Sequence, residues 1–344
     1  MAVEMFKIGV LLVSLCTGVT LAIAQQPPAT PKPKAKPGVY KPGTPMPEPP
    51  SYPREEIKQT TEKSITVDPN VNLKMCVAEG NLKITGWERN EVRVFVRSGR
   101  LPGFKVLEKD PGSGKANWLM VTNIRAEGSP KGPMSECLSG ADIELDVPLK
   151  SKMDLSGRST ETVIDSIKKV NVKTAEGDIS IRNIAGGINA ITYQGNLIVE
   201  SSEGSIMLET TSGNILAFGV NPGQIGDLFK ARTGSGNVTL QQVEHRQIEA
   251  SSISGNVVFK GKLLAGGLYG FKTSSGSIRL QIPFKSSFTV KASYGFGAFA
   301  SEIPLNYTYK NEGEGGQNLQ ASVGAGDSNI NLTTSNGAIS IRKL

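Results

Sequence analysis

The chain has 344 residues, 39 of them glycine, with only 11 Phe, 7 Tyr and 2 Trp, a mix that suits many turns and short strands better than long helices. Its formal net charge of +7 comes without a dense Lys/Arg block. Binding to a phosphate backbone needs clustered cations, so nucleic acid is excluded as a partner and a solvated surface is expected.

Lys7 is followed by an apolar run from Ile8 to Ile23, closed by Ala22-Ile23-Ala24. The run falls short of the roughly 20 residues that span a bilayer, so residues 1–24 read as a signal peptide cleaved near Ala24, and no transmembrane span is expected in the mature chain. Leu15 precedes Cys16 where a lipidated cysteine normally follows a small residue, which argues against a lipoprotein. Residues 25–53 hold 11 of the 20 prolines, interspersed with Lys32, Lys34, Lys36 and Lys41. With almost no large apolar side chains, this stretch is expected to be a disordered, extended linker.

The folded part is expected from residue 54, with an N-terminal β region over 54–160. Ile65 to Val67, Leu73 to Val77, Leu82 to Ile84 and Val92 to Val96 alternate or cluster apolar residues between turn signals, as does Ile143 to Val147 before Pro148. Residues 99–117 and 126–140 are read as loops around a strand at Trp118 to Ile124, and Trp87 and Trp118 as packing anchors. Once the signal is removed, only Cys76 and Cys137 remain. In an exported protein this pair suggests one disulfide, the alternative being two separate buried thiols. No metal is expected, because two cysteines and the single His245 make no ligand cluster.

From residue 161 to 344 one phrase recurs: Gly177-Asp178-Ile179, Gly195-Asn196-Leu197, Gly204-Ser205-Ile206, Gly213-Asn214-Ile215, Gly236-Asn237-Val238, Gly255-Asn256-Val257, Gly276-Ser277-Ile278 and Gly337-Ala338-Ile339. Apolar residues stand at Gly+2 and Gly+4, the period of a strand with one buried face. The polar residues of the phrase read as interchangeable turn chemistry. A unit of nine to ten residues, often doubled, is one strand plus one turn, and the gap of 61 before Gly337 is about three of the doubled units. A closed barrel could use the same unit. Irregular spacing favours an all-β, single-domain solenoid of stacked short strands with Gly-rich turns, since a rung tolerates insertions at its corners.

The strand Ile143 to Pro148, the tandem Gly phrases, Ser301-Glu302-Ile303-Pro304-Leu305 and the closing Asn331 to Ile341 resemble the bacterial putative-adhesin domain family of toast-rack β-solenoids, over roughly residues 60–344. The resemblance implies an exported envelope protein with repeated strands and no established catalytic residues.

The phrase breaks down over residues 284–326, which contain Phe284, Phe288, Tyr294, Phe296, Phe299, Tyr307 and Tyr309. These aromatics, Tyr294, Phe296, Phe299, Tyr307 and Tyr309 above all, are expected either to cap the last rung or to form a binding surface. No catalytic site is expected. Glu200, Glu203 and Glu209 read as turn and surface residues, and neither a nucleophile elbow nor a phosphate loop is present. Cofactors are expected to be none. The expected function is therefore a non-enzymatic, exported protein of the periplasm or cell surface, presenting an adhesin-like binding or structural surface to an envelope protein or glycan. Two alternatives stand beside it: a polysaccharide-active β-helix enzyme, and a structural element that self-associates end to end through the strand at the C-terminus.

Overall fold

A computed structural model describes residues 60–124, 134–313 and 316–344, all within one compact unit, Arg54–Leu344. The expected signal peptide and linker lie outside the described residues. Those described form 24 strands and no helix.

The N-terminal strands are β1 (Thr61–Trp87), β2 (Glu91–Arg97), β3 (Pro102–Lys109), β4 (Ala116–Asn123), β5 (Leu138–Pro148) and β6 (Lys152–Asp165). The short strands expected between Ile65 and Ile84 are one bent strand, β1, turned at Gly80. The presumed loop at 99–117 is largely β3, paired antiparallel with β4. Its outward residues are mostly charged and both its faces are largely solvated, so it carries no apolar alternation. Trp118 lies on the outer face of β4, 44% exposed, and does not anchor the core. Trp87 is half-buried, donating from Nε1 to the Glu91 carbonyl at 2.8 Å beneath the guanidinium groups of Arg89 and Arg93.

Regular rungs follow: β7 (Lys169–Glu176) with β8 (Ile179–Arg182), β9 (Ile188–Gln194) with β10 (Leu197–Glu200), β11 (Ile206–Ser212) with β12 (Ile215–Val220), β13 (Leu228–Ser235) with β14 (Val238–Val243), β15 (Gln247–Ser254) with β16 (Val257–Lys260), and β17 (Leu268–Ser275) with β18 (Ile278–Ile282). The first strand of each rung pairs in parallel with the first strand of the next, and the second with the second, which gives two long faces around one core. Alternation puts Val170, Ile188, Ile206, Phe229, Ile248 and Tyr269 in one inward row, each at most 3% exposed. Lys169, Lys173, Arg232 and Lys272 point to solvent.

Every rung turns at a glycine of the repeated phrase, and this is where the sequence reading needs correction. Gly195, Gly213, Gly236, Gly255 and Gly276 have φ between 144° and 157°, and a Cβ on any of them would collide with the carbonyl oxygen of the corner glycine stacked against it. A threonine or serine tucked under the corner donates to that oxygen: Thr233 to Gly213 at 2.8 Å, Ser252 to Gly236 at 2.8 Å, Thr273 to Gly255 at 2.8 Å. The residue after the glycine does more than turn the chain. The side-chain oxygen of Asp178 accepts from the backbone N–H of Asn196, Asn196 from Asn214, Asn214 from Asn237, Asn237 from Asn256 and Asn256 from Ser277, at 2.7–2.9 Å. These residues bind rung to rung. Gly204, by contrast, sits between β10 and β11, at the other end of the rung.

The C-terminal strands are β19 (Phe288–Phe296), β20 (Phe299–Ser301), β21 (Asn306–Gly313), β22 (Gly316–Val323), β23 (Asn329–Asn336) and β24 (Ile339–Lys343). They do not stack in chain order. The rung β23/β24 inserts between β17/β18 and β19/β20, so Gly337 meets Gly276 on one side and Gly297 on the other. The C-terminal strand, read as an uncovered edge for self-association, is paired on both sides. At the opposite end the same device recurs: β4 and β5 lie outside β1, although β1 precedes them in the chain. Both ends then finish in antiparallel strands, β3 on β4 and β22 with β21 on β19.

Cys76 and Cys137 are joined by a disulfide with Cα atoms 4.5 Å apart, tying β1 to the segment entering β5. The enclosed loop of 61 residues gives about 4 kcal/mol in the chain-entropy treatment.

His245 is fully buried against Phe229, with Nε2 2.8 Å from the Gly204 carbonyl. Burial pushes the imidazole below its ordinary pKa, more strongly than its contact with Gly204 and the charge of Asp227 push it up. The folded state therefore holds a neutral ring, and the unfolded chain binds the proton more readily. The stability this confers is complete above the unfolded-state value of about 6.5 and is lost progressively as pH falls from there through the lower folded-state value. His245 is the only histidine. Urea midpoints should fall between pH 7 and pH 5 in the native protein and stay flatter in His245→Asn; equal slopes would remove this assignment.

Candidate functional site

The outer surface formed by β13, β15, β17, β23, β19, β22 and β21 carries two adjoining depressions, together called the groove. At the strand spacing of about 4.8 Å, it runs roughly 30 Å. One half is a depression of about 330 Å³ lined by Lys230, Arg232, Glu249, Ser251, Lys272 and Asn331, with Gly270 at its floor. The other half, about 380 Å³, is lined by Lys291, Ser293, Tyr309, Asn318, Gln320 and Thr333. Asn331 and Thr333 border both. The alternation that buries Ala231, Phe271, Leu332 and Ala292 forces their neighbours outward, so the core pattern itself builds the groove.

The chemistry of this face is polar. Lys230 pairs with Glu249 at 3.4 Å. Amides from Asn331, Asn318 and Gln320 and hydroxyls from Ser251, Ser293 and Thr333 line the rest, and the Tyr309 phenol closes the far end. Such a surface can donate and accept hydrogen bonds along an extended ligand and place an aromatic face at its end.

The aromatic residues singled out in the sequence divide into two groups. Tyr294 is 4% exposed and stacks on half-buried Phe299, with ring centroids 6.3 Å apart. It occupies the corner position that Thr334 fills in the neighbouring rung, and these two rings cover the last corner. Phe296, Tyr307 and Tyr309 are exposed by 82, 52 and 54%. A bulge at Thr308 pairs Tyr307 with Ala321 and Tyr309 with Gln320, which puts the two tyrosines on opposite faces of β21. Only Tyr309 reaches the groove.

A third depression, about 510 Å³, lies beside the disulfide and is lined by Glu79, Arg100, Cys137, Arg158, Ser159 and Glu176. Glu200, Glu203 and Glu209 do not converge: Glu200 ends β10 on the second sheet, Glu203 lies in the turn bridged to Asn221, and Glu209 is on the outer face of β11. Among the described residues no group of three or more His, Cys, Asp or Glu is placed to hold a metal, and no helix is long and apolar enough to cross a membrane.

Residues 223–342, from the turn before β13 into β24, match the family described as Toastrack DUF4097. This segment is similar to toast-rack domains. The matched segment contains every residue named in the two depressions. The stacked rungs before it, β6 to β12, continue the same register, so the solenoid extends beyond the matched residues. Among solved structures, the chain is similar to a "putative adhesin" from Parabacteroides merdae (10% identity, TM-score 0.42, 83% of this chain and 97% of that one). It is also similar to a "putative adhesin" from Bacteroides fragilis (12%, 0.35, 83% and 98%) and to a "putative lipid binding protein" from Parabacteroides distasonis (13%, 0.27, 83% and 97%). No curated protein matches the chain significantly.

Proposed function

We propose that this is an exported, non-enzymatic binding protein of the cell envelope, in which the toast-rack stack is a rigid platform and the outer groove holds the partner. The observation that carries the reading is the adjacency of the two depressions: seven strands drawn from residues 228–336 line one polar surface, with Asn331 and Thr333 bordering both depressions and an exposed tyrosine at its end. The disulfide supports an oxidising compartment, in keeping with export. The names of the similar structures, adhesins and a lipid-binding protein, agree with a binding role.

Tyr309 decides between this reading and a purely structural tip. Being 54% exposed, it contributes little to the core. Tyr309→Ala should leave the melting temperature within about 2 °C of the parent, since exposed substitutions stay within about 0.5 kcal/mol. The same variant should show weaker saturable adsorption to isolated envelopes. Unchanged adsorption in a variant that fills both halves of the groove would refute the assignment, and release of soluble sugars from the envelope would return the enzyme alternative.

A further inference from the structure

We propose that the groove around Gly270 is a binding site for an extended carboxylated polysaccharide, gripped by Arg232, Lys272 and Lys291. This deepens the binding reading above and rests on it.

Gly270 is the first observation. In its row across the sheet the neighbouring strands carry Lys230, Glu249, Asn331 and Lys291, so a single missing side chain makes the notch. The backbone does not demand glycine here. Gly270 is not among the residues with positive φ, and a Cβ placed on it would meet nothing nearer than the Ile248 carbonyl oxygen at 3.9 Å. Its effect is to open the surface, unlike the corner glycines, which the close approach of the next rung requires.

Charge supplies the second. Lys230 is satisfied by Glu249, whereas Arg232, Lys272 and Lys291 have no carboxylate within ion-pair distance among the described residues. Glu209 stands beside Arg232 in the strand register but forms no ion pair with it. The three cations sit on β13, β17 and β19, on every second strand of the series β13, β15, β17, β23, β19; Arg232 and Lys272 share one row and Lys291 stands two residues along in the next, which spaces successive cations about 10–12 Å apart on a slightly oblique line. A rigid ladder of positive charge at that interval fits a polymer with a carboxylate at regular intervals along an extended chain.

The density of the charge chooses the polymer. Three free cations over a groove some 30 Å long are too sparse for a nucleic acid or a polyphosphate, whose charges follow one another at a few ångströms. Between the cations stand Ser251, Asn331, Thr333, Ser293 and Asn318, which suit sugar hydroxyls, and Tyr309 offers a ring face at one end.

Titration calorimetry on the full mature chain tests this with three probes: polygalacturonate, neutral dextran and inorganic polyphosphate. Polygalacturonate should bind at low salt and weaken as salt rises, while dextran should not bind. The triple variant Arg232→Gln, Lys272→Gln, Lys291→Gln should lose about tenfold to a hundredfold in affinity, the sum of three exposed ion pairs. Gly270→Gln adds bulk without charge and should weaken binding about tenfold with an unchanged melting temperature, so a loss there cannot be blamed on unfolding. Equal binding of dextran, tighter binding of polyphosphate, or full affinity in Gly270→Gln would each overturn the proposal. Adsorption of the parent chain to envelopes without affinity for polygalacturonate would sink the ligand class alone. Failure to adsorb at all would sink the broader reading with it.

Discussion

Replacing Gly236 by valine is expected to unfold the stack at ordinary temperatures. Gly236 turns β13 into β14 with φ at 144°, a conformation an L side chain rarely adopts, and a Cβ there would run into the carbonyl oxygen of Gly213 in the rung beneath. Nothing flexible can yield, because the obstacle is backbone. To make room, the corner must lift away, which breaks the bond from Gly213 N–H to the Ser235 carbonyl at 2.9 Å and pulls the buried Thr233 hydroxyl off the Gly213 carbonyl, its acceptor at 2.8 Å. The neighbouring rungs then lose their register on both faces. Strain, lost hydrogen bonds and an opened core together place the cost beyond about 5 kcal/mol, comparable to the whole stability of an ordinary domain. Gly226→Ala is the internal control. Its φ is 95°, yet a Cβ would meet nothing within 4 Å. Only backbone strain applies, about 1 kcal/mol, or a few degrees in a thermal melt followed by circular dichroism. If both variants melt within a few degrees of the parent, the corner ladder does not hold the stack together.

That contrast shows what could be read in advance. The corner glycines and the inward Ile179, Leu197, Ile206 and Leu208 are local patterns of period two, so the all-β solenoid and its core were visible in the sequence. The asparagine ladder was visible only as repeated Asn at the Gly+1 position. Its meaning depends on hydrogen bonds between residues 18 to 23 apart, which no local pattern specifies. The groove left still less trace. Arg232, Lys272 and Lys291 belong to three different repeats, and Gly270 is one glycine among 39. Of the two stretches where the phrase breaks down, 99–140 and 284–326, the second supplies Lys291, Ser293, Tyr309 and Gln320 to this surface, and the stacked rungs supply the rest. Tyr307 and Tyr309 read as equivalent in sequence, and a single bulge separates them.

Removing residues 329–344 is the second large effect expected, and it runs against what the order of repeats suggests. In a solenoid that stacks in chain order, the last rung is the most expendable, since its loss exposes one new end. Here β23 and β24 are interior. Ile330, Leu332, Ile339 and Ile341 are each at most 1% exposed, and their strands are paired on both sides. Their deletion takes four aliphatic side chains from the core at about 1.5–3 kcal/mol each, and it strips the facing edges of β17/β18 and β19/β20 of partners. It also separates the end structure of β19 to β22 from the rest of the stack. Tyr294, Phe299 and Leu319 would then cover nothing. The total, on the order of 10 kcal/mol, matches the net stability of a typical domain. The truncated chain should therefore show an early, broad melt and rapid proteolysis between residues 283 and 328. One outcome would defeat this reading: a truncated chain that melts as sharply and almost as high as the parent. In that case β19/β20 must close up directly on β17/β18, and the inserted rung would be a replaceable spacer rather than the piece that locks the end of the stack.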